Sequence, residues 1–311
     1  MAVVGVCFSP EITKADPLSH VGKKRPVYDR LLDLCLEKGW RTFVFTKKTY
    51  LGDRVFDGAW EYTSKKLVWT NEKTTADLVY DRTGGVNFPL QGDTLKVVNI
   101  RDFKIFCWDK WAAYQELSDF MPQTYWIEDM RQLTETVQKI ATDWVVVKPF
   151  NGLQGKGIYI GSKGGEKDFK FDPKYKKYIV QEFVDTSGGV PKIVSGMHDI
   201  RVVVINKKLV WGHVRVPQAG KFTSNAAGGG ILTELNLNVL PNSIMQVVKK
   251  VSEDFFVKYD NPIFSLDFGI DKDDKPYMFE INDQIGFPRW EMEKRDNFLN
   301  ELVINFESKL E

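Results

Sequence analysis

The chain has 311 residues, 43% of them hydrophobic and 13% aromatic, which suffices for two or three packed units because single cores seldom grow past roughly 250–300 residues. Its 43 basic and 42 acidic side chains leave a net charge of +1, which argues against a surface that grips nucleic acid throughout but leaves a local basic cleft open. No window approaches the roughly 20 apolar residues of a membrane span, and the N-terminal stretch lacks the basic start and long apolar run of a signal peptide. The widely separated Cys7, Cys35 and Cys107 read as reduced core thiols of a cytoplasmic protein. With no CxxC pair and only His20, His198 and His213, neither a cysteine nor a histidine metal site is expected.

In chain order, Ala2–Phe8 is an apolar, β-prone run. Val27–Lys38 spaces Val27, Leu31, Leu34 and Leu36 as a helix and is closed by Gly39. Thr42–Phe45, Leu78–Tyr80 and Val97–Asn99 read as short buried strands, so the first hundred residues predict a βαβ unit with a parallel sheet. Lys110–Leu117 and Asp129–Ala141 are expected helices. The order then changes. Trp144–Pro149, Ile158–Gly161, Tyr178–Phe183, Asp199–Ile205, Leu209–Val216, Phe264–Ile270 and Tyr277–Asn282 are expected strands with antiparallel connections. Ser243–Lys258 and Glu291–Leu310 are the accompanying helices. The fold class is therefore α/β followed by α+β, divided as 1–105, 106–190 and 191–311.

Four segments carry chemistry. In Val145–Gly161, a strand ends at Lys148 and runs into a loop with Gly152, Gly155 and Gly157. Glycines permit positive φ and close approach of N–H groups to phosphate, while the lysine would place its ammonium on phosphates; a plain glycine-rich hairpin turn explains the same residues. Tyr178–Asp185 presents Gln181 and Glu182 among apolar residues at a strand end, where exposed backbone would meet adenine and Asp185 a ribose hydroxyl. An ordinary edge strand is the alternative. Asp267, Glu280 and Asn282 fall on one face of two joined strands, a set of hard oxygens suited to Mg²⁺ beside phosphates. Arg289 would be a structural partner for Glu280 instead. Arg201 and Arg215 flank the tight Asn206–Lys208 turn and would point into one cleft, with Asn225 in the following glycine-ending loop as a contact to phosphate or acyl oxygen. His198 and His213 sit where histidines are more often structural than catalytic, and neither is assigned a role.

Taken in order, Asp109–Lys110, the VVKP strand with its glycine loop, VQEF at 180–183, Asp199–Arg201, Ser224–Asn225 with its glycines, and Asp267 with Glu280–Asn282 resemble the ATP-grasp superfamily. The nearest branch is that of glutathione synthetase and the ribosomal-protein glutamate ligases, and the similarity covers residues 95–290. The resemblance implies that ATP lies between two α+β lobes. Lys110 and Lys148 would bind its phosphates and the loop with Gly152, Gln154, Gly155 and Gly157 would fold over it. Glu182, Phe183 and Val184 would hold adenine, and Asp267, Glu280 and Asn282 would ligate Mg²⁺, as two ions and with Mn²⁺ as a substitute. Arg201, Arg215 and Asn225 would be catalytic. Two departures stand out: Thr223 replaces the branch's arginine, with Lys221 nearby, and Asp283–Phe287 replaces a small-residue turn. The implied activity joins a carboxylate to an amine through an acyl phosphate, with amino acids or peptides as substrates. Other readings are a ligase for a protein terminus, an acyl-phosphate-releasing phosphotransferase, and an ATP-binding regulatory protein without turnover. Arg82 and the Gly22–Arg25 loop would grip a substrate carboxylate, or be solvated surface charge. Neither membrane nor nucleic acid is an expected partner, and a homo-oligomer is compatible with this composition.

Overall fold

The computed structural model describes residues 1–9, 15–152, 156–175, 177–222 and 230–311. Three sheets follow one another along the chain. In the first, β1 (Val3–Phe8) lies between β2 (Arg41–Thr46) and β6 (Leu78–Arg82) and is parallel to both. The crossover from β1 to β2 carries α1 (Arg25–Glu37), whose buried stripe is Val27, Tyr28, Leu31, Leu32 and Cys35. Pro26 opens that helix where a missing N–H costs nothing.

The expected parallel sheet holds for these strands only. The outer edge of β2 carries an antiparallel strand, β4 (Val55–Thr63), which pairs with the short β3 (Tyr50–Gly52) and folds back into β5 (Lys66–Thr75). The sequence hid this hairpin because Ser64 and Lys65 make its turn at φ of 48° and 58°. The usual signal for such a turn is Asn-Gly or Asp-Gly. Val97–Asn99, expected as a strand, contributes one bridge from Val97 to Val79. The Asn99 side chain donates to Ile263 O at 2.7 Å and accepts from Ile263 N–H at 2.8 Å, tying this segment to the C-terminal half.

Next come α2 (Arg101–Trp108) and α3 (Lys110–Leu117), with Asp109 between them. Asp109 is the N-cap of α3: its carboxylate accepts from the N–H groups of Trp111 and Ala112, both at 3.0 Å. The second sheet is antiparallel in the order β7 (Thr124–Ile127), β10 (Tyr178–Glu182), β8 (Trp144–Pro149), β9 (Tyr159–Ser162). It is backed by α4 (Met130–Val137), which begins at the N-cap Asp129 and stops short of the expected Ala141. The third sheet, also antiparallel, runs β13 (Ile231–Glu234), β12 (Lys208–Val216), β11 (Asp199–Ile205), β14 (Phe264–Ile270), β15 (Pro276–Asn282). One face of it packs on α2 and on α5 (Asn242–Lys258) through Phe103, Phe106, Phe255, Phe264 and Leu266.

The final described helix, α6 (Arg295–Leu310), leaves the third sheet and returns to the first. Its Phe298, Leu299, Leu302 and Phe306 share a core with Val6, Tyr28, Leu31 and Tyr80. No helix among the described residues is long and apolar enough to cross a membrane.

Candidate active site

Cross-strand register assembles the charged row. Arg201 on β11 stands opposite Asp267 on β14, and Asp267 opposite Glu280 on β15, so these side chains share one face. Across β12 the row continues through His213, and Asp199 with Arg215 forms a second row one step along. Between Asp267 and Phe268 the register shifts by one residue, leaving Phe279 unpaired and returning Glu280 and Asn282 to the same face. The turn joining β11 to β12 places Asn206 and Lys207 at φ of 52° and 63°, and the hairpin aims both arginines into one cleft, as the sequence predicts.

Asp267 is 3% exposed and takes a two-pronged bond from Arg201, Nε to Oδ1 and Nη2 to Oδ2, each at 2.6 Å. Arg215 Nη2 adds a bond to Oδ2 at 2.8 Å and another to Asp199 Oδ2 at 2.5 Å. Burial pushes the Asp267 carboxyl up, but the two guanidiniums outweigh it and hold the group well below the usual carboxylate range. Glu280 pairs with Lys110 Nζ at 2.8 Å, not with Arg289, which lies 4.0 Å from Glu291. Its carboxyl is lowered: burial opposes the shift, while Lys110 and Lys148 drive it.

The facing wall belongs to the second sheet. Lys148, 8% exposed at the end of β8, donates to Gln181 Oε1 at 3.0 Å and reaches Phe279 O at 3.4 Å. Gln181 in turn donates to Thr124 Oγ1 at 2.8 Å, which orients its amide. Burial pushes the Lys148 ammonium down to about 8, against the pull of Glu280. Lys110, at the start of α3, also donates to Gly152 O at 3.0 Å and so links the glycine loop to the acid row. At Gly157, φ is 73° and a Cβ would lie 3.0 Å from Pro149 Cγ, so a side chain there would be both strained and tightly crowded.

These walls enclose a cleft of about 700 Å³. Of the residues singled out in the sequence, Lys110, Lys148, Gly152, Gln181, Glu182, Phe183, Val184, Arg201, Arg215, Asp267, Glu280 and Asn282 all line it. Asp185 does not: its Oδ1 accepts from Ser187 N–H at 2.9 Å, and bonds from Ser187 lower its pKa. Gly157 does not line the cleft either, although its neighbours Lys156 and Ile158 do. Gln154, Gly155, Thr223 and Asn225 lie outside the described residues. Lys221 is exposed and does not itself line the cleft, although the adjacent Phe222 does. His198, assigned no role from the sequence, lines the cleft with both nitrogens engaged, Nδ1 at 3.0 Å from Gly196 O and Nε2 accepting from Ile270 N–H at 3.2 Å. The buried ion pair of Lys104 with Asp81 was invisible in the sequence, because no helix was expected at Arg101–Trp108 to carry Lys104 inward.

A family model described as a RimK-like ATP-grasp domain matches residues 109–305. The chain belongs to the RimK-like ATP-grasp family. Among curated relatives, a probable alpha-L-glutamate ligase of Syntrophotalea carbinolica is 29% identical over 120 residues, 38% of this chain and 37% of that one. A D-alanine–D-alanine ligase of Ligilactobacillus salivarius is 30% identical over 127 residues, 39% of this chain and 31% of the relative. The matched stretch thus spans well under half the length of these relatives. The fold of the whole chain matches solved structures more broadly. D-alanyl-alanine synthetase A of Vibrio cholerae superposes with a TM-score of 0.67 at 14% identity, covering 99% of this chain and 98% of the other. The D-alanine–D-alanine ligase of Bacillus anthracis complexed with ATP gives 0.64 at 15%, covering 100% and 98%. The three sheets of this RimK-like protein are therefore an ATP-grasp fold.

Proposed function

We propose that the protein is an ATP- and Mg²⁺-dependent ligase that joins a carboxylate to an amine, with an amino acid or peptide among its substrates. The observation that carries this reading is the row Arg201–Asp267–Glu280–Lys110 facing Lys148 across one cleft. A divalent ion fits that row. Asp267 Oδ1 accepts a single bond and Glu280 pairs with Lys110 through Oε1, so both keep oxygen lone pairs for a hard cation. Asn282 supplies a neutral oxygen, and its Nδ2 has no partner among the described residues. Two acids and an amide leave the remaining coordination to phosphate oxygens and water, the usual arrangement for Mg²⁺. Bound there, the ion would neutralise phosphate charge as the γ-phosphoryl group moves.

The residues divide the work. Lys148 and Lys110 hold phosphates, and the backbone at Glu182–Val184 borders the adenine end. Arg201 and Arg215 stabilise the charge that develops when the substrate carboxylate takes the γ-phosphoryl group and ADP departs. Their pairing with Asp267 and Asp199 fixes the guanidinium planes in advance, so no reorganisation is needed at the moment of transfer. The amine then attacks the acyl carbon and phosphate leaves. Residues 106–190 and 191–311 would form the two ATP-binding lobes, with 1–105 on the substrate side. A binding protein without turnover has no use for two guanidiniums aligned on a metal-ready acid row. Three free, buried thiols are in keeping with a cytoplasmic setting. The test is ADP release by purified protein across pools of acids and amines, followed by mass spectrometry of the product. Acid-dependent ADP without amide from any amine would point to phosphotransfer instead, and acid-independent behaviour to a regulatory binder.

A further inference from the structure

The cations of the cleft are not balanced evenly. Arg201 and Arg215 are neutralised by Asp267 and Asp199, and Lys110 by Glu280. Lys148 is left to the nucleotide. On the wall formed by the first sheet, Lys24 and Arg82 also line the cleft, and neither has a carboxylate within ion-pairing distance among the described residues. Arg82 ends β6. Its guanidinium lies 5.4 Å from the ring of Tyr80 and 5.5 Å from that of Phe287, and Nη1 donates to the Tyr80 hydroxyl at 3.4 Å. A further bond to Tyr28 joins that stacking in holding the planar fork in one orientation, and a fork with five N–H donors keeps others for a ligand. The acid whose charge Arg82 feels is Asp283, which is occupied by Gln284 Nε2 at 3.0 Å. Next to Arg82, the buried Thr83 Oγ1 lines the same wall with no hydrogen-bond partner among the described residues.

Lys24, half-buried just before α1, lines the cleft with Arg82 and Arg201 and lies within reach of their charge and that of Arg289. Burial and then these three like charges push its ammonium down to about 8. Clustered, partly desolvated cations without a counter-charge are costly, and an arriving anion relieves that cost. An ammonium group would meet repulsion at the same place.

Resting on the ligase reading above, we infer that Lys24 and Arg82 form a specificity site for a second carboxylate on the acid substrate, remote from the carboxylate that reacts. The substrate class is then a diacid or an acidic amino acid or peptide whose far end is anionic. The reacting carboxylate sits towards Arg201, and the second is held by the stacked fork of Arg82 with Lys24 beside it. Selection works in both directions: the fork gives affinity to the anion, and the uncompensated charge rejects a substrate presenting an amine there.

Two measurements test this separately from the ligase reading. The first is calorimetric binding, without ATP, of acids in matched pairs: glutarate against its monoamide, and glutamate and aspartate against glutamine and asparagine. The second is ADP release with the same pairs. We expect the second carboxylate to improve kcat/KM by tenfold or more. Lys24→Met should raise KM for the diacid by about tenfold with a much smaller change in kcat, consistent with loss of about 1.4 kcal/mol of charge-assisted binding. Arg82→Met risks the aromatic stack, so Arg82→Lys, which keeps the charge and loses the fork, is the second variant, with melting temperature as control. Equal performance of both members of every pair, or diacid binding unaltered in Lys24→Met, overturns the inference while leaving the ligase intact. Lys24-dependent diacid binding without any acid-dependent ADP supports the site and overturns the ligase reading.

Discussion

Lys104 and Asp81 meet beneath the cleft with side-chain exposures of 1% and 3%, and Lys104 Nζ also donates to Phe88 O at 2.7 Å. Lys104→Met keeps the length and apolar stem of the side chain and removes only the ammonium. Asp81 then retains the N–H of Thr83 on Oδ1 at 2.8 Å, but Oδ2 and Phe88 O both lose their donor. Breaking one side of a buried pair costs about 3–5 kcal/mol, and the surviving Thr83 bond places the expectation near the lower figure, about 3 kcal/mol. With a urea dependence of about 3 kcal/mol per molar, the unfolding midpoint should fall by about 1 M. Adding Asp81→Asn removes the stranded charge and should recover at least half of the loss. The assay is urea unfolding followed by tryptophan fluorescence on both variants and wild type. A loss below about 1 kcal/mol in Lys104→Met, or a double variant no more stable than the single, would refute the account of a desolvated, mutually dependent pair.

Three further outcomes follow from the site. Lys148→Met should weaken Mg-ATP binding at least tenfold by calorimetry; in wild type, affinity should be steady below pH 8 and fall above it by up to about tenfold per unit, since bound phosphate favours the protonated lysine that the free cleft releases near pH 8. An affinity with no such slope would remove Lys148 from the phosphates. Glu280→Gln should abolish ADP formation at saturating Mg²⁺ while shifting the melting temperature little, because its partner Lys110 keeps Gly152 O; a collapse in stability would mark the Glu280–Lys110 pair as structural. Arg201→Lys should leave ATP affinity within about threefold and cut turnover by about 100-fold, a loss near 2.7 kcal/mol of transition-state stabilisation, and unaltered turnover would take the planar fork out of the mechanism.

Four of the five strands of the third sheet were legible nearly residue by residue, because strands such as Asp199–Ile205 and Phe264–Ile270 are long apolar runs interrupted by charges that belong to the site, whereas the short and largely exposed β13 was not expected. The same interruptions exposed the site: an acid inside PYMFEIN has few reasons to be there other than a partner. Pairing was less legible. Composition alone does not distinguish Lys110 from Arg289 as the partner of Glu280, since that choice depends on how α3 is set against β15. The hairpin at 50–75 was hidden because its turn uses Ser64 and Lys65, and its strands mix threonine, lysine and tryptophan on an edge with one half-exposed face. The departure of Asp185 from the cleft has a similar origin: an aspartate two residues before a serine N–H closes its own turn before it reaches outward.

The return of α6 to the first sheet has a consequence for biosynthesis. β1, β2, β6 and α1 emerge from the ribosome early, yet Phe298, Leu302 and Phe306, which cover Tyr28, Leu31 and Tyr80, are made only after both other sheets. At about 5–20 residues per second, the N-terminal strands wait on the order of ten seconds or more with part of their apolar face uncovered. A ribosome stalled before α6 would therefore display an apolar surface on the N-terminal unit that α6 otherwise covers.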